Sequence, residues 1–363
     1  MSGPPINPEA LIIARESRGR TQQDVADATG ITQGLISKAE HGLTSIALDD
    51  MKRVASFLDY PVRLFYERAP IREAGSACLY HRKRKTLPAK PLKQLEARMH
   101  IRNLNVSKLL NNLEITGDRR FHSIDPDEYG SSGVEVARAL RSAWRLPDGP
   151  IPNLTALIES AGGVVINEPF GTRKLFGMSC WTHHGHPLFF LNSEMPTEVL
   201  RWTIAHELGH LTMHGVGPQP DPEGQADAFA GEFLAPQSLL RPDLRKLDFD
   251  RLPALKAHWR ISMKALIKRG QVLGVIDQAT AVRLYKQYSA RRYNVREPYP
   301  LSAEPSTIMD EAIRVYLDDN DYTPHEVAEA MLLSFDEFQR DLRTGPQSHT
   351  NVVSLFDPQR ANG

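Results

Sequence analysis

The string His206-Glu207-Leu208-Gly209-His210 constrains this chain more than any other feature. A helix turns about 100° per residue, so positions four apart lie nearly above one another, roughly 6 Å along the axis. On the apolar stretch 196–214, which reads as one long helix, His206 and His210 offer two imidazoles on one face, with Glu207 beside the first. A second helix must then pack against this one. Asp221-Pro222-Glu223 opens it, with Asp221 as N-cap and Pro222 at the first helical position, and Pro236 closes it. Glu223 lies thirteen residues beyond His210, enough for a tight turn and an antiparallel return.

Two histidines at this spacing, with a glutamate after the first, form the zinc-peptidase pattern: His206 and His210 as ligands and Glu207 as general base. A catalytic zinc needs a third protein ligand and an open position. Glu223 is the preferred third ligand, with Asp221 and Asp227 as alternatives. Asp227, one turn beyond Glu223, is placed to accept the free N–H of a ligating histidine. The metzincin pattern fails, because Met213 and Val216 stand where it needs Gly and His. His214 either lines the cleft or serves the helix end. His183, His184 and His186 are candidates to stabilise a tetrahedral oxyanion. The strand at 188–191 either adds to an extended substrate or, as preferred, belongs to the core.

With 363 residues the chain has room for two or three domains. The 44 basic and 44 acidic side chains cancel, so only their distribution says anything. Residues 1–60 are net −2, residues 61–120 net +9, and the run His81-Arg82-Lys83-Arg84-Lys85 lies in the basic block. That block is either a solvated linker or a contact for polyanions. Cys78 and Cys180 make neither a disulfide framework nor a CxxC pair, which fits a reduced, cytoplasmic protein. No signal peptide or membrane span is expected.

The segment Arg201 to His214, RWTIAHELGHLTMH, followed by EGQADAFAGEFLAP from Glu223 to Pro236, resembles the ImmA/IrrE family of metallopeptidases. The resemblance covers about residues 150–290. It implies a zincin-like domain with Glu223 as third ligand and repressors of the helix-turn-helix class as substrates. Phe233-Leu234-Ala235-Pro236 departs from the family's usual Leu-Leu-Met-Pro, at packing positions rather than ligands.

Upstream, residues 8–66 read as four short helices: 8–18, 22–28 capped by Thr21 and stopped by Gly30, 33–40 capped by Thr32, and 48–58. TQQDVADATGITQGLISKAEHG, Thr21 to Gly42, resembles the Cro-type (XRE) helix-turn-helix family. The resemblance implies that the 33–40 helix enters a major groove, with Thr32, Gln33, Ser37 and Lys38 facing DNA. Gln33 is suited to pair with adenine, while Gln22 and either Arg18 or Arg20 would meet phosphates.

The expected fold is α+β, mainly helical with a small β-sheet. Its parts are a helix-turn-helix domain at 1–66, a basic linker and helical segment at 67–149, a zincin-like metallopeptidase domain at 150–295, a C-terminal helical segment at 296–345 and a disordered tail at 346–363. Residues 323–340 have a helix-turn-helix cadence, but a helical pair packed on the peptidase domain or a dimer partner is preferred. The expected function is a dimeric transcriptional regulator that binds an operator in double-stranded DNA. Its zinc endopeptidase would cleave a repressor-like protein or the regulator itself. The alternatives are a peptidase-like domain that only senses a metal or ligand, and a protease whose N-terminal helices dock its substrate.

Overall fold

A computed structural model describes residues 5–68, 87–215, 219–341 and 352–354. The basic run 81–85, Cys78 and most of the tail expected to be disordered lie outside the described residues. The rest is mainly helical with one small mixed sheet, in the α+β class.

Four short helices open the chain: α1 (Pro8–Ser17), α2 (Gln22–Thr29), α3 (Gln33–Glu40) and α4 (Leu48–Leu58). Each boundary has a local cause. Asn7 caps α1, Thr21 and Asp24 form a capping box on α2, and Thr32 caps α3. Gly30 ends α2 at φ 73°, a left-handed conformation that costs glycine nothing. Leu11, Ile13, Val25, Ile36, Met51 and Val54 close a small core between them.

The long helix α5 (Ala89–Leu110) completes that core and begins another. Its Ala97, Ile101 and Leu104 pack on the four-helix unit, whereas Leu95, Met99, Val106 and Leu109 turn to the other side. Lys93 pairs with Glu16 at 2.6 Å, Lys108 pairs with Glu67 at 2.7 Å, and Gln94 donates to the Ser17 carbonyl. Residues 87–110 of the expected linker region therefore form a wall shared by two parts of the molecule. A short strand β1 (Leu113–Ile115) follows.

Helices α6 (Gly133–Ala143) and α7 (Leu154–Ser160) lead into the sheet. Strands β2 (Val164–Glu168), β3 (Gly177–Trp181) and β4 (Pro187–Asn192) lie in the order β2-β4-β3, with β2 parallel and β3 antiparallel to the central β4. Side chains alternate across this sheet. Val165, Phe189 and Leu191 face one core, and Val164, Met178, Cys180, Leu188 and Phe190 the other.

The first face carries α8 (Thr197–Met213) and α9 (Pro222–Leu234). With them pack α10 (Gln237–Asp243), α11 (Leu252–Trp259), α12 (Met263–Val272) and α13 (Gln278–Ala290). Helix α10 was not expected between Pro236 and Pro242; it forms where Leu240 and Leu244 enter the core.

The second face carries α5 and the C-terminal helices. These are α14 (Ile308–Arg314), α15 (Pro324–Ala330) and α16 (Phe335–Asp341), with a π-helical turn Val315–Asp319 after α14. The segment 323–341 forms two short helices, parted at Met331 and Leu332, where Leu332 adopts φ 59°. Both parts pack through Val327, Ala328 and Phe338 against α5 and the sheet. Within the tail expected to be disordered, β5 (Val352–Ser354) pairs antiparallel with β1.

Two buried carboxylates on the strap before α14 stitch the halves together. Glu304 accepts from the Leu154 and Thr155 N–H groups at the start of α7 and pairs with Arg201 and Arg260. Glu297 accepts from the Met263 N–H at the start of α12 and pairs with Lys256 at 3.0 Å. In return Glu159, on α7, accepts from the backbone of Thr307 and Ile308 at the start of α14.

Candidate metal centre and nucleic-acid interface

Helices α8 and α9 pack closely enough to share a ligand set because small residues face the contact. A Cβ at Gly209 would come within 3.1 Å of the Phe229 ring, and one at Gly177 on β3 within 2.7 Å of Thr203. With both absent, α8 lies flush against β3 on one side and α9 on the other.

His206, His210 and Glu223 each present a ligand atom within 4.8 Å of the others. The two Nε2 atoms face each other at 3.1 Å, and the Glu223 carboxylate lies 3.6 Å from His206 and 3.5 Å from His210. Behind the ligand atoms each imidazole is held through Nδ1. His206 Nδ1 meets Asp227 Oδ1 at 3.0 Å, and His210 Nδ1 meets His214 Nδ1 at 2.8 Å. His214 is buried and continues to Gln225, whose amide donates to the Ser131 carbonyl. It therefore stands behind His210 rather than in the cleft. Asp221 spends its carboxylate on the Gly224 N–H as the cap of α9 and is not in the ligand cluster.

The electrostatics match this crowding. Burial opposes protonation of His206, but bonds to Asp227 and Glu223 and the charge of Glu207 outweigh it and hold the imidazole up at about 9. Burial raises the Glu223 carboxyl, yet its bonds to His206 and His210 leave it well below the usual carboxylate range. Burial, then the charge of His210, push His214 down to about 4. A divalent cation fits this donor set: two imidazole nitrogens and a carboxylate converge, and Glu223 Oε1 is buried with no hydrogen-bond partner among the described residues.

Glu207 lies in the same cleft, only 2% exposed, and accepts a 2.7 Å hydrogen bond from the Ser179 hydroxyl of β3. The cleft holds about 490 Å³ and runs from Leu175 and Gly177 past Trp202 to α12 and Tyr285 of α13. None of His183, His184 and His186 lines it. His186, on the β3–β4 turn beyond the far end of β3, bonds the Gly162 carbonyl instead. The strand 188–191 is paired on both sides and has no free edge to offer a peptide. The outer strands are β2 and β3, and β3 is the one beside the cleft. Bonds at Phe176–Asn192 and Thr182–His186 flank its ladder, so the two-residue alternation directs the backbone groups of Gly177 and Ser179 away from β4.

Sequence reasoning missed Ser179, Tyr285 and Glu304. Ser179 had a usable signal, since it shares the β3 face of Gly177. Tyr285 and Glu304 had none, because only tertiary packing brings 285 to the cleft and 304 to Arg201 of α8.

In the N-terminal unit, Thr32, Gln33 and Lys38 are exposed on α3 and Ser37 is half-buried. Thr32 also spends its hydroxyl on the Leu35 N–H. Arg15 grips both oxygens of Glu40 at 2.6 and 2.9 Å. Glu40 accepts from Gln22, and Gln22 accepts from Gln33 at 2.7 Å. The chain of bonds fixes the Gln33 side chain from beneath. Arg18 is not available to a phosphate: it bonds the Leu58 and Asp59 carbonyls and Glu337 of α16 and stacks on Tyr60. Arg20 lies over the Phe57 ring.

Comparison with known families agrees with both motifs. Residues 158–270 match a peptidase family model described as an IrrE N-terminal-like domain. Residues 11–65 match the model described as Helix-turn-helix. No curated protein and no solved structure matches the chain. The chain thus joins an XRE-type helix-turn-helix segment to an ImmA/IrrE-like segment. Helices α5, α6 and α13–α16 lie outside both matches.

Proposed function

We propose that this chain is a DNA-binding regulator that acts as a zinc-dependent endopeptidase on a repressor-type protein. The observation that carries the reading is the convergence of His206, His210 and Glu223 with Glu207 in one cleft, on a chain that also bears a helix-turn-helix segment. A pure sensor needs the ligands but not a buried carboxylate beside them.

Zinc bound at these three residues would supply Lewis acidity and an activated water. The protein's own groups do the rest. Asp227 and His214 hold the two imidazoles with Nε2 turned to the cleft. Ser179 fixes the Glu207 carboxylate, which takes the proton of the attacking water and delivers it to the leaving amine. The outward groups of Gly177 and Ser179 offer an extended peptide a strand to pair with, and the apolar Trp202 and Val199 wall excludes water. On the DNA side Gln33, held by Gln22, reads a base edge, with Thr32, Ser37 and Lys38 around it. Two chains on half-sites one helical turn apart would form the operator complex in the cytoplasm. Among the described residues no helix is long and apolar enough to cross a membrane.

The test combines metal analysis of the purified chain, DNA-affinity sequencing, and reporter expression in cells carrying Glu207→Gln. One equivalent of zinc, a palindromic operator and regulation lost in the variant are expected. Regulation unchanged in Glu207→Gln would leave a sensor in place of a peptidase.

A further inference from the structure

The α12 wall of the cleft has a chemistry that the reaction does not use. Lys264 and Lys268 stand four residues apart on α12, so their side chains share one face, and both line the cleft opposite α8 and α9. Both are exposed, and neither has an ion pair among the described residues. Their neighbours differ. Lys256 pairs with Glu198 and Glu297, Arg260 with Glu304, and Arg269 with Glu232. Across the cleft one oxygen of Glu198 is held by Lys256 and Glu207 by Ser179, while Glu223 and Asp227 face the histidines. The excess also extends beyond the two lysines. Residues 260–296 contain nine basic side chains and one acidic one, Asp277, although the chain as a whole is neutral.

We propose that Lys264 and Lys268 select an acidic side chain in the peptide that occupies this cleft. The proposal rests on the reading of the cleft as a peptide site and names its substrate class. In an extended peptide laid along β3, alternate side chains project to the same side. Those directed at α12 meet two ammonium groups beside the apolar floor of Leu175, Val199 and Ala265. A carboxylate there neutralises both amines; a lysine or arginine is repelled. The apolar floor of the cleft suits a peptide. The preference also speaks against self-cleavage within His81–Lys85, a run of the wrong charge.

Binding tests this without requiring turnover. Zinc-loaded full-length Glu207→Gln is mixed with fluorescein-labelled random decapeptide pools. The pools carry one fixed Glu, Gln or Lys at each position in turn, and retention is measured by anisotropy. At one position or at two positions spaced by two, the Glu pool should bind roughly 5- to 10-fold more tightly than the Gln pool, and the Lys pool more weakly than either. Adding Lys264→Glu and Lys268→Glu should reverse the order. Adding Lys264→Gln and Lys268→Gln should flatten it, and because both positions are exposed, circular dichroism should stay unchanged. Equal binding of the Glu and Gln pools overturns the proposal, as does a Glu preference that survives charge reversal. A 20-base-pair duplex whose binding is lost on charge reversal, while peptide binding is unaltered, also overturns it and assigns the lysines to nucleic acid. Failure of the peptidase reading shows separately, as no cleavage of any pool by the zinc-loaded chain with Glu207 intact.

Discussion

The α2–α3 pair and the α8–α9 pair are both two-helix devices, yet they are held in opposite ways. In the N-terminal unit the working residues are exposed, and a short polar chain from Arg15 through Glu40 and Gln22 to Gln33 fixes them. Every member of that chain lies within 26 residues of sequence. In the cleft the working residues are mostly buried and their support is remote. Glu207 leans on Ser179 of a strand, and α8 is anchored through Arg201 to Glu304 on the far strap. The first site is a local arrangement on a small core; the second exists only when three segments far apart in sequence are packed together.

Substitutions can break or sharpen that contrast. The largest effect belongs to Glu207→Gln. It should lower peptide hydrolysis by roughly 10²- to 10⁴-fold while zinc content, measured by mass spectrometry, stays at the wild-type level. A parallel loss of zinc would mean that Glu207 is structural. Next comes Glu304→Ala, which strips the ion partner from Arg201, a side chain only 1% exposed. Urea unfolding should show a loss of about 3–5 kcal/mol. Operator affinity of the surviving folded fraction should change little, because no part of the Arg15–Gln33 chain touches Glu304. Gln33→Ala should do the reverse. It should cost about 1–3 kcal/mol of operator affinity in a fluorescence titration, concentrated at one base position, with the unfolding midpoint unmoved. Asp227→Asn tests the cleft's support at closer range: zinc affinity in a chelator competition should fall about 10- to 100-fold.

The smallest effect is a slope. Burial pushes the Glu159 carboxyl up to about 7 from its ordinary 4.5, against the pull of its bonds to Thr307 and Ile308. Between those two values the folded chain holds a proton that the unfolded chain has released. The stability this group contributes is therefore greatest below about pH 4.5 and falls as pH rises towards 7. Glu159→Gln should remove a slope of roughly 1.4 kcal/mol per pH unit from that window, seen as a flatter dependence of the urea midpoint on pH. An unchanged slope would place the proton elsewhere.

The same contrast explains what the sequence could reveal. The four N-terminal helices and their caps at Thr21, Gly30 and Thr32 are local events, written in adjacent residues. The helices bearing His206 and Glu223 are equally local, and their antiparallel return follows from a short connection. What lay beyond reach was long-range. Nothing near 188–191 says that this strand is central and that β2 and β3 are its outer neighbours; only pairing partners decide that. The histidines at 183–186 share a residue type with the ligands but sit past the end of β3. Arg18 looks like a phosphate contact until Tyr60 and Glu337 claim it. The turn at Leu332 was legible only as a cadence; the packing of α15 and α16 on α5 shows where the two helices lie.

Helix α5 has one further consequence, for how such a protein can be taken apart. Its apolar residues complete the core of the N-terminal unit on one side and cover the peptidase-side sheet on the other. A cut at the apparent joint near residue 66 would leave the helix-turn-helix half without Ala97, Ile101 and Leu104 as its lid. A cut after residue 110 would uncover the other half's sheet. The molecule has no clean seam at either place, because α5 and the Arg18–Glu337 pair both tie the two parts together.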